Sequence, residues 1–445
     1  MNIYRLINLV VIALLILLTT VARAQDSATN LTPMEQKTVV DSIGNKLKAN
    51  YVFPEVADKM AERIKNNLQK GDYNSIIDPQ EFAGKLTDDL RAVSNDKHIR
   101  VMFAPKRIAE HKQMVTAEDS LKFRNSYIAN LKRNNFGFKE VKILEGNIGY
   151  LDLRSFSDTQ YASETAVAAM NFLSNTDAMI IDLRHNGGGS PAMIQLITSY
   201  LFESEPVHLN NFYWRPTDRN TQTWTLPHVP GKRSPDVPVY ILTSSSTFSA
   251  AEEFCYNLKN LERATLIGET TGGGAHPGGT QTATDRFTIW IPTGRAINPI
   301  TNTNWEGTGV TPHIEVKADE ALVTAQIKAL EGLINKSDNE ETMEFYNWSL
   351  RELKARSNPV KLEESVLKSY VGAYGPRVVS FENGKLFYQR GAGTKYELVP
   401  LSQNEFMLIG LSYFRIQLLS ENNEVVALEG HYEGGRTDKN LKTKG

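Results

Sequence analysis

Hydrophobic positions along the chain follow two successive rhythms and then a third. Between residues 32 and 93 apolar residues recur at helical spacing: Val39, Ile43 and Leu47, then Val56 to Leu68, then Phe82 to Val93. Pro54 and the Gly71–Pro79 region interrupt them, which predicts three short helices. Residues 94–98 then form a polar junction, Ser-Asn-Asp-Lys-His, ahead of the strand-like Ile99 to Phe103. Residues 106–140 are polar and of mixed charge, and read as a helical or irregular connector. From Val141 the rhythm changes. Alternation at 141–144, the run NIGYLDL at 147–153, a helix from Ser163 to Leu173 and the run AMIIDL at 178–183 follow one another. A continuous apolar run of that length suits a strand covered on both faces, and strands alternating with helices argue for an α/β core. Two helical stretches, 319–335 and 340–355, lead to a boundary at Asn358-Pro359. Residues 362–436 then break into short alternating runs punctuated by Glu382-Asn383-Gly384 and Glu421-Asn422-Asn423, the pattern of an antiparallel β domain. The tail 439–444 is expected to be disordered.

The first 24 residues stand apart. Arg5, an apolar stretch from Leu9 to Leu18 and the small-residue site Ala22-Arg23-Ala24 are the layout of a cleaved secretory signal, and the apolar stretch is short for a membrane span. Export to the periplasm or the extracellular space is expected, with no membrane span after cleavage. The single cysteine, Cys255, rules out a disulfide framework, so stability must come from an ordinary core. A formal charge of −2 with scattered basic residues argues against a nucleic-acid partner.

Candidate chemistry is densest at 237–274. An apolar strand (Val237 to Leu242), a hydroxyl-rich turn (Thr243 to Ser249) and an amphipathic helix carrying Ala251, Phe254, Cys255, Leu258 and Leu261 place Ser249 where strand becomes helix. The unpaired N–H groups and dipole of a helix start would stabilise an oxyanion beside it. Ser249-Ala250-Ala251-Glu252 equally fits a capping box, in which serine and glutamate only close the helix end. The run Asp182 to Gly189 (DLRHNGGG) lies between a strand and a helix. It can be read as a flexible turn, as an oxyanion site at Gly188 or Gly189, or as a dinucleotide fingerprint through Gly187, Gly189 and Ala192. The four polar or charged residues ahead of the first glycine count against the last reading. His98, alone at a turn, is open to a solvated or a catalytic role. No His/Asp/Glu spacing fits a metal motif such as H-E-x-x-H, so neither metal nor cofactor is expected.

Four blocks occur together and in order: DLRHNGGG, SSSTFSAAEEF, GETTGGGAHP and WEGTGVTPHIEV. Over residues 32–330 they resemble the tail-specific or C-terminal processing serine peptidase family, in its branch with the tricorn protease core and the interphotoreceptor retinoid-binding protein repeats. The resemblance implies a crotonase-like α/β spiral core behind a helical bundle. One branch of that family uses a lysine base about 25 residues after the serine, but Gly274 stands there. The tricorn-like branch uses histidine and a glutamate, whose positions match His98 and Glu306. The resemblance thus implies Ser249 as nucleophile, His98 as general base and acid, Glu306 in support, and backbone N–H groups of Ala250 and of Gly188 or Gly189 as the oxyanion hole. In the tricorn protease a serine precedes the histidine; Lys97 stands here, leaving open whether Glu306 reaches His98 directly, through water or through Ser94. His185, His228 and His276 read as loop polarity.

The expected organisation is therefore a signal (1–24), a helical domain (32–103), a connector too short for a PDZ module (104–140), the α/β core (141–335), a helical linker (336–358) and a C-terminal β domain (362–436). The expected activity is peptide-bond hydrolysis through an acyl-enzyme at Ser249, on a peptide or protein substrate. The alternatives are a non-catalytic binding module on the same core, for an apolar ligand or peptide, and an esterase.

Overall fold

The computed structural model describes residues 30–113 and 116–443; the predicted signal lies outside them. Three helices come first: α1 (Pro33–Asn50), α2 (Pro54–Lys70) and α3 (Pro79–Ser94). Each has proline at its first position, where the missing N–H would have had no partner anyway, and Thr32 and Asp78 cap α1 and α3 through side-chain oxygens. Asn95, in the left-handed region at φ 55°, ends α3 and turns the chain sharply toward β1 (Arg100–Phe103). Two helices follow, α4 (Pro105–Gln113) and α5 (Ala117–Arg133).

The α/β region begins with β2 (Phe138–Leu144), β3 (Ile148–Leu153), α6 (Thr159–Phe172), β4 (Ala178–Asp182) and α7 (Pro191–Ser199). A hairpin follows, of β5 (His208–Trp214) and β6 (Arg219–Trp224), made possible by Asp218 in the left-handed region. Then come β7 (Val239–Thr243), α8 (Ala250–Asn260), β8 (Ala264–Gly268), β9 (Gly278–Thr282), β10 (Phe287–Pro292), β11 (Gly294–Ile297) and β12 (Ile314–Glu315). Six strands form one sheet in the order β12-β8-β7-β4-β3-β2, with all neighbours parallel except β2 and β3. Every residue of β3, β4 and β7 is buried, because α6, α7 and α8 cover one face while the helix Ala321–Lys336 covers the other. Each fully buried Ile or Leu of this sheet contributes roughly 1.5–3 kcal/mol.

β1 is the link between the two regions. It pairs antiparallel with β10, Arg100 opposite Trp290 through Phe103 opposite Phe287, and Phe287, Ile289 and Ile291 join the core formed by α1, α2 and α3. The junction at 95–98 is thereby fastened to the α/β region two residues from the pairing. Beyond the helices Ala321–Lys336 and Glu340–Ser357, an eight-stranded antiparallel sheet runs from Gly372 to Leu441. Its turns at Asn383-Gly384 and Asn422-Asn423 have positive φ at both central residues, as tight hairpins require. Residues 437–443 are ordered, against expectation: Thr437–Leu441 pairs with the strand Glu424–Tyr432, and Thr443 donates to the Ala373 carbonyl, so strand pairing overrides the polar composition, while position 444 lies outside the described residues. Among the described residues no helix is long and apolar enough to cross a membrane.

Candidate active site

Three loops leave the carboxyl ends of the adjacent parallel strands β4, β7 and β8, the edge at which open α/β sheets bind ligands. The loop after β4 (183–190) is held from beneath by the hydroxyl-rich turn after β7. Thr247 Oγ1 donates to the Leu183 carbonyl, Ser244 Oγ to that of Arg184, and the Phe248 N–H to that of Asn186. The hydroxyls at 243–249 therefore serve chiefly to satisfy loop backbone.

Ser249 closes that turn at φ 56°, ψ −122°, a conformation that costs a residue with a side chain on the order of 1–3 kcal/mol. Its N–H donates to Glu252 Oε2 at 2.9 Å, so the glutamate half of the capping box is made. The serine Oγ has a different neighbour: His98 Nε2, at 3.0 Å. Glu252 is fully buried and accepts three further hydrogen bonds, from the Thr271 hydroxyl (2.5 Å), the Gly273 N–H (2.6 Å) and the Gly274 N–H (2.8 Å), clamping the serine turn to the loop after β8. Burial raises its pKa, and those hydrogen bonds oppose the rise. Gly274 is required where it stands, since a Cβ there would lie 2.7 Å from His98 Cε1 and 2.3 Å from the Phe248 ring that packs on the imidazole.

Gly188 arches over the start of α8 at φ 106°, so close that a Cβ would meet the Ala250 nitrogen and Ser249 Cβ at 2.9 Å. Its own N–H donates to Asn186 Oδ1. The Ala250 and Gly189 amides have no hydrogen-bond partner among the described residues, so of the two glycine donors named from sequence Gly189 is the unengaged one.

Glu306 and His98 do not meet directly. Glu306 Oε2 accepts from the Ala275 N–H at 2.5 Å and lies 3.4 Å from His276 Nδ1. His276 is not loop polarity: it is buried, with Nδ1 2.9 Å from Asp96 Oδ2. Asp96, also buried, accepts from the His98 N–H at 3.0 Å and stands 3.7 Å from His98 Nδ1. Burial works against the Asp96 carboxylate, but hydrogen bonds and charge from His276 and His98 outweigh it and hold its pKa below the ordinary aspartate range. Burial and the charge of Asp96 push Glu306 upward. Ser94 Oγ accepts from the Asp96 N–H and does not bridge to Glu306, while Lys97 Nζ points away to the Gly272 carbonyl. Asp96 and His276 were missed from sequence. The signal available was the D-x-H spacing of Asp96 and His98, within a turn where aspartate ordinarily serves the backbone. Donor atoms of Asp96, His276 and Glu306 lie within 4.8 Å of one another, the kind of trio that could hold a metal ion, though two of those atoms here bond each other.

Behind α8, Glu253 is buried beside Asn210 and Asn257, and burial pushes its carboxyl up to about 7 against their hydrogen bonding. A carboxyl with a raised folded-state pKa contributes most below its unfolded pKa, and that contribution disappears as pH rises toward 7. Glu253→Gln should therefore gain on the wild type by about 3 kcal/mol between pH 4.5 and 7.5, read from urea unfolding at both values.

Residues 147–316 match the model of peptidase family S41, and residues 24–130 match that of the N-terminal domain of peptidase S41 in eukaryotic IRBP. The chain thus carries peptidase S41 family domains. The chain is 31% identical over 128 residues to the carboxyl-terminal-processing protease of Synechocystis sp., a match that spans 28% of this chain and 28% of that relative. Among solved structures, the photosystem II D1 C-terminal processing protease is 13% identical with a TM-score of 0.40, covering 65% of this chain and 94% of its own. The tricorn protease is 14% identical with a TM-score of 0.41, covering 72% and 37%.

Proposed function

We propose that this S41 chain is an exported serine peptidase that cleaves peptide or protein substrates through an acyl-enzyme at Ser249. The observation that carries the reading is the 3.0 Å approach of His98 Nε2 to Ser249 Oγ, made across 151 residues of sequence by an N-terminal junction and a strand-to-helix turn. A serine hydroxyl is a weak nucleophile until a neighbouring base takes its proton. As Oγ bonds to the substrate carbonyl carbon, that proton passes to His98 Nε2. The carbonyl oxygen, now an oxyanion, is met by the Ala250 N–H and by that of Gly189, the Gly188 N–H being engaged by Asn186. His98 then returns the proton to the leaving amine as the C–N bond breaks, and a water activated by the same imidazole releases the acid. Glu306 supports the histidine side of the site. The resemblance to a crotonase-like spiral core, the division into helical, α/β and β domains, and delivery to the periplasm or beyond belong to the same proposal.

The test is labelling of the protein, without residues 1–24, by a fluorophosphonate probe, with the adduct mapped by peptide mass spectrometry. One adduct on Ser249 that forms at least about 10²-fold more slowly in His98→Ala is expected. No adduct on folded protein would reject the reading in favour of a binding module. Hydrolysis of simple esters alone, with no cleavage across a peptide library, would reassign it to an esterase.

A further inference from the structure

The His98 ring has one nitrogen occupied and one unexplained. With Nε2 facing the Ser249 hydroxyl, the neutral ring that can take the serine proton must carry its own hydrogen on Nδ1. That nitrogen is buried and has no hydrogen-bond partner among the described residues. A buried donor of this kind needs an acceptor, above all once the ring is charged. The groups around it are Asp96 Oδ1 at 3.7 Å and, behind Asp96, the Tyr51 hydroxyl, His276 and Glu306.

We infer that Asp96 is the residue that positions His98 and stabilises its charged form, and that His276, backed by Glu306, holds Asp96 for that role. Both oxygens of Asp96 are committed in the required directions. Oδ1 takes the His98 N–H at 3.0 Å, which keeps it on the His98 side. Oδ2 takes the His276 ring at 2.9 Å and lies 3.3 Å from the Tyr51 hydroxyl. The remaining gap to Nδ1 is of the size that closes when a proton arrives, since such hydrogen bonds are long in the resting site. Glu306 Oε2, anchored on the Ala275 N–H, fixes the loop that carries His276. The sequence thus runs Ser249, His98, Asp96, His276, Glu306, and Lys97, in the position before the histidine, takes no part in it. The inference rests on His98 being the base of the proposed peptidase, so its test includes a measurement independent of activity.

Two-dimensional ¹⁵N–¹H NMR of the histidine side chains, with His98 assigned from a His98→Gln difference, reads the tautomer directly. The wild type should show neutral His98 as the Nδ1–H tautomer. In Asp96→Asn the Nε2–H tautomer should gain population, and the fluorophosphonate rate should drop about 10²- to 10⁴-fold, as expected when a triad carboxylate is neutralised. His276→Gln, which leaves Asp96 charged, should lower the rate by less and keep the Nδ1–H tautomer. An Nε2–H tautomer in the wild type would overturn the inference whether or not Asp96→Asn folds. So would an Asp96→Asn protein with the wild-type tautomer and labelling rate. A wild type that shows the Nδ1–H tautomer and its loss in Asp96→Asn, yet labels nowhere, would sink the peptidase reading and leave the positioning role of Asp96 supported.

Discussion

Ser249→Ala is expected to lower kcat on the best peptide substrate by about 10⁵- to 10⁶-fold, His98→Ala by a similar factor, and the double variant by no more than either. The three results belong together, because in the proposed mechanism nucleophile and base act as one unit: once the Oγ–Nε2 pair at 3.0 Å is broken, the second partner has nothing left to do. What survives is the rate that oxyanion donors and substrate binding supply alone. Stability should move the other way at the same position. Ser249 is held at φ 56°, so Ser249→Gly removes the nucleophile and relieves backbone strain together, and should raise the unfolding free energy by roughly 1–2 kcal/mol in urea denaturation. Additive losses in the double variant, or a Ser249→Gly protein less stable than the wild type, would contradict the account of a strained serine acting with one histidine.

Glu252→Ala is expected to cost about 4 kcal/mol of stability and to slow labelling of Ser249 by about 10²-fold or more. The carboxylate collects four donors from two loops: Ser249 and Gly274 on one oxygen, Thr271 and Gly273 on the other. Its removal leaves all four buried without their acceptor, each worth roughly 1–3 kcal/mol singly, with the sum reduced by whatever water enters the space. The loss should reach the chemistry because the same clamp sets the Ser249 N–H, the first turn of α8 and the loop bearing His276. Glu252→Gln should fall between, since its NH₂ must face N–H groups where an oxygen stood. A Glu252→Ala protein of wild-type stability would mean that the capping box is dispensable and that the turn is set by the hydroxyls of 244–247 alone.

The capping box and the proposed nucleophile, set out from sequence as rival readings of one serine, call on different atoms. The backbone N–H of Ser249 is the capped group, and its side chain is free to face His98. Sequence pattern could not separate the two, because S-x-x-E describes residue types and says nothing of where Oγ points. The same limit explains His276. A histidine in a glycine-rich loop is usually solvated, and only the approach of the 94–98 junction buries this one against Asp96. It explains the hairpin at 208–224 as well, whose polar residues pair through backbone groups that carry no hydrophobic signature. The disorder expected for the tail fails at residues 439–441 for a related reason, since edge pairing to the strand Glu424–Tyr432 needs no apolar side chains.

Local chemistry was enough to determine much of this protein. Helical spacing at 32–93, the apolar strand runs at 147–153, 178–183 and 237–242, the serine at a strand-to-helix turn and the turn residues of the C-terminal sheet all depend on neighbours a few positions apart, where side-chain periodicity and backbone sterics act directly. The site itself was decided by tertiary structure. Residues 96, 98, 249, 252, 276 and 306 come together because β1 pairs with β10, three loops rise from adjacent parallel strands, and one buried glutamate ties two of those loops together. Those contacts are set by long-range strand pairing and the burial of polar groups, and only the folded chain determines which carboxylate stands beside which histidine.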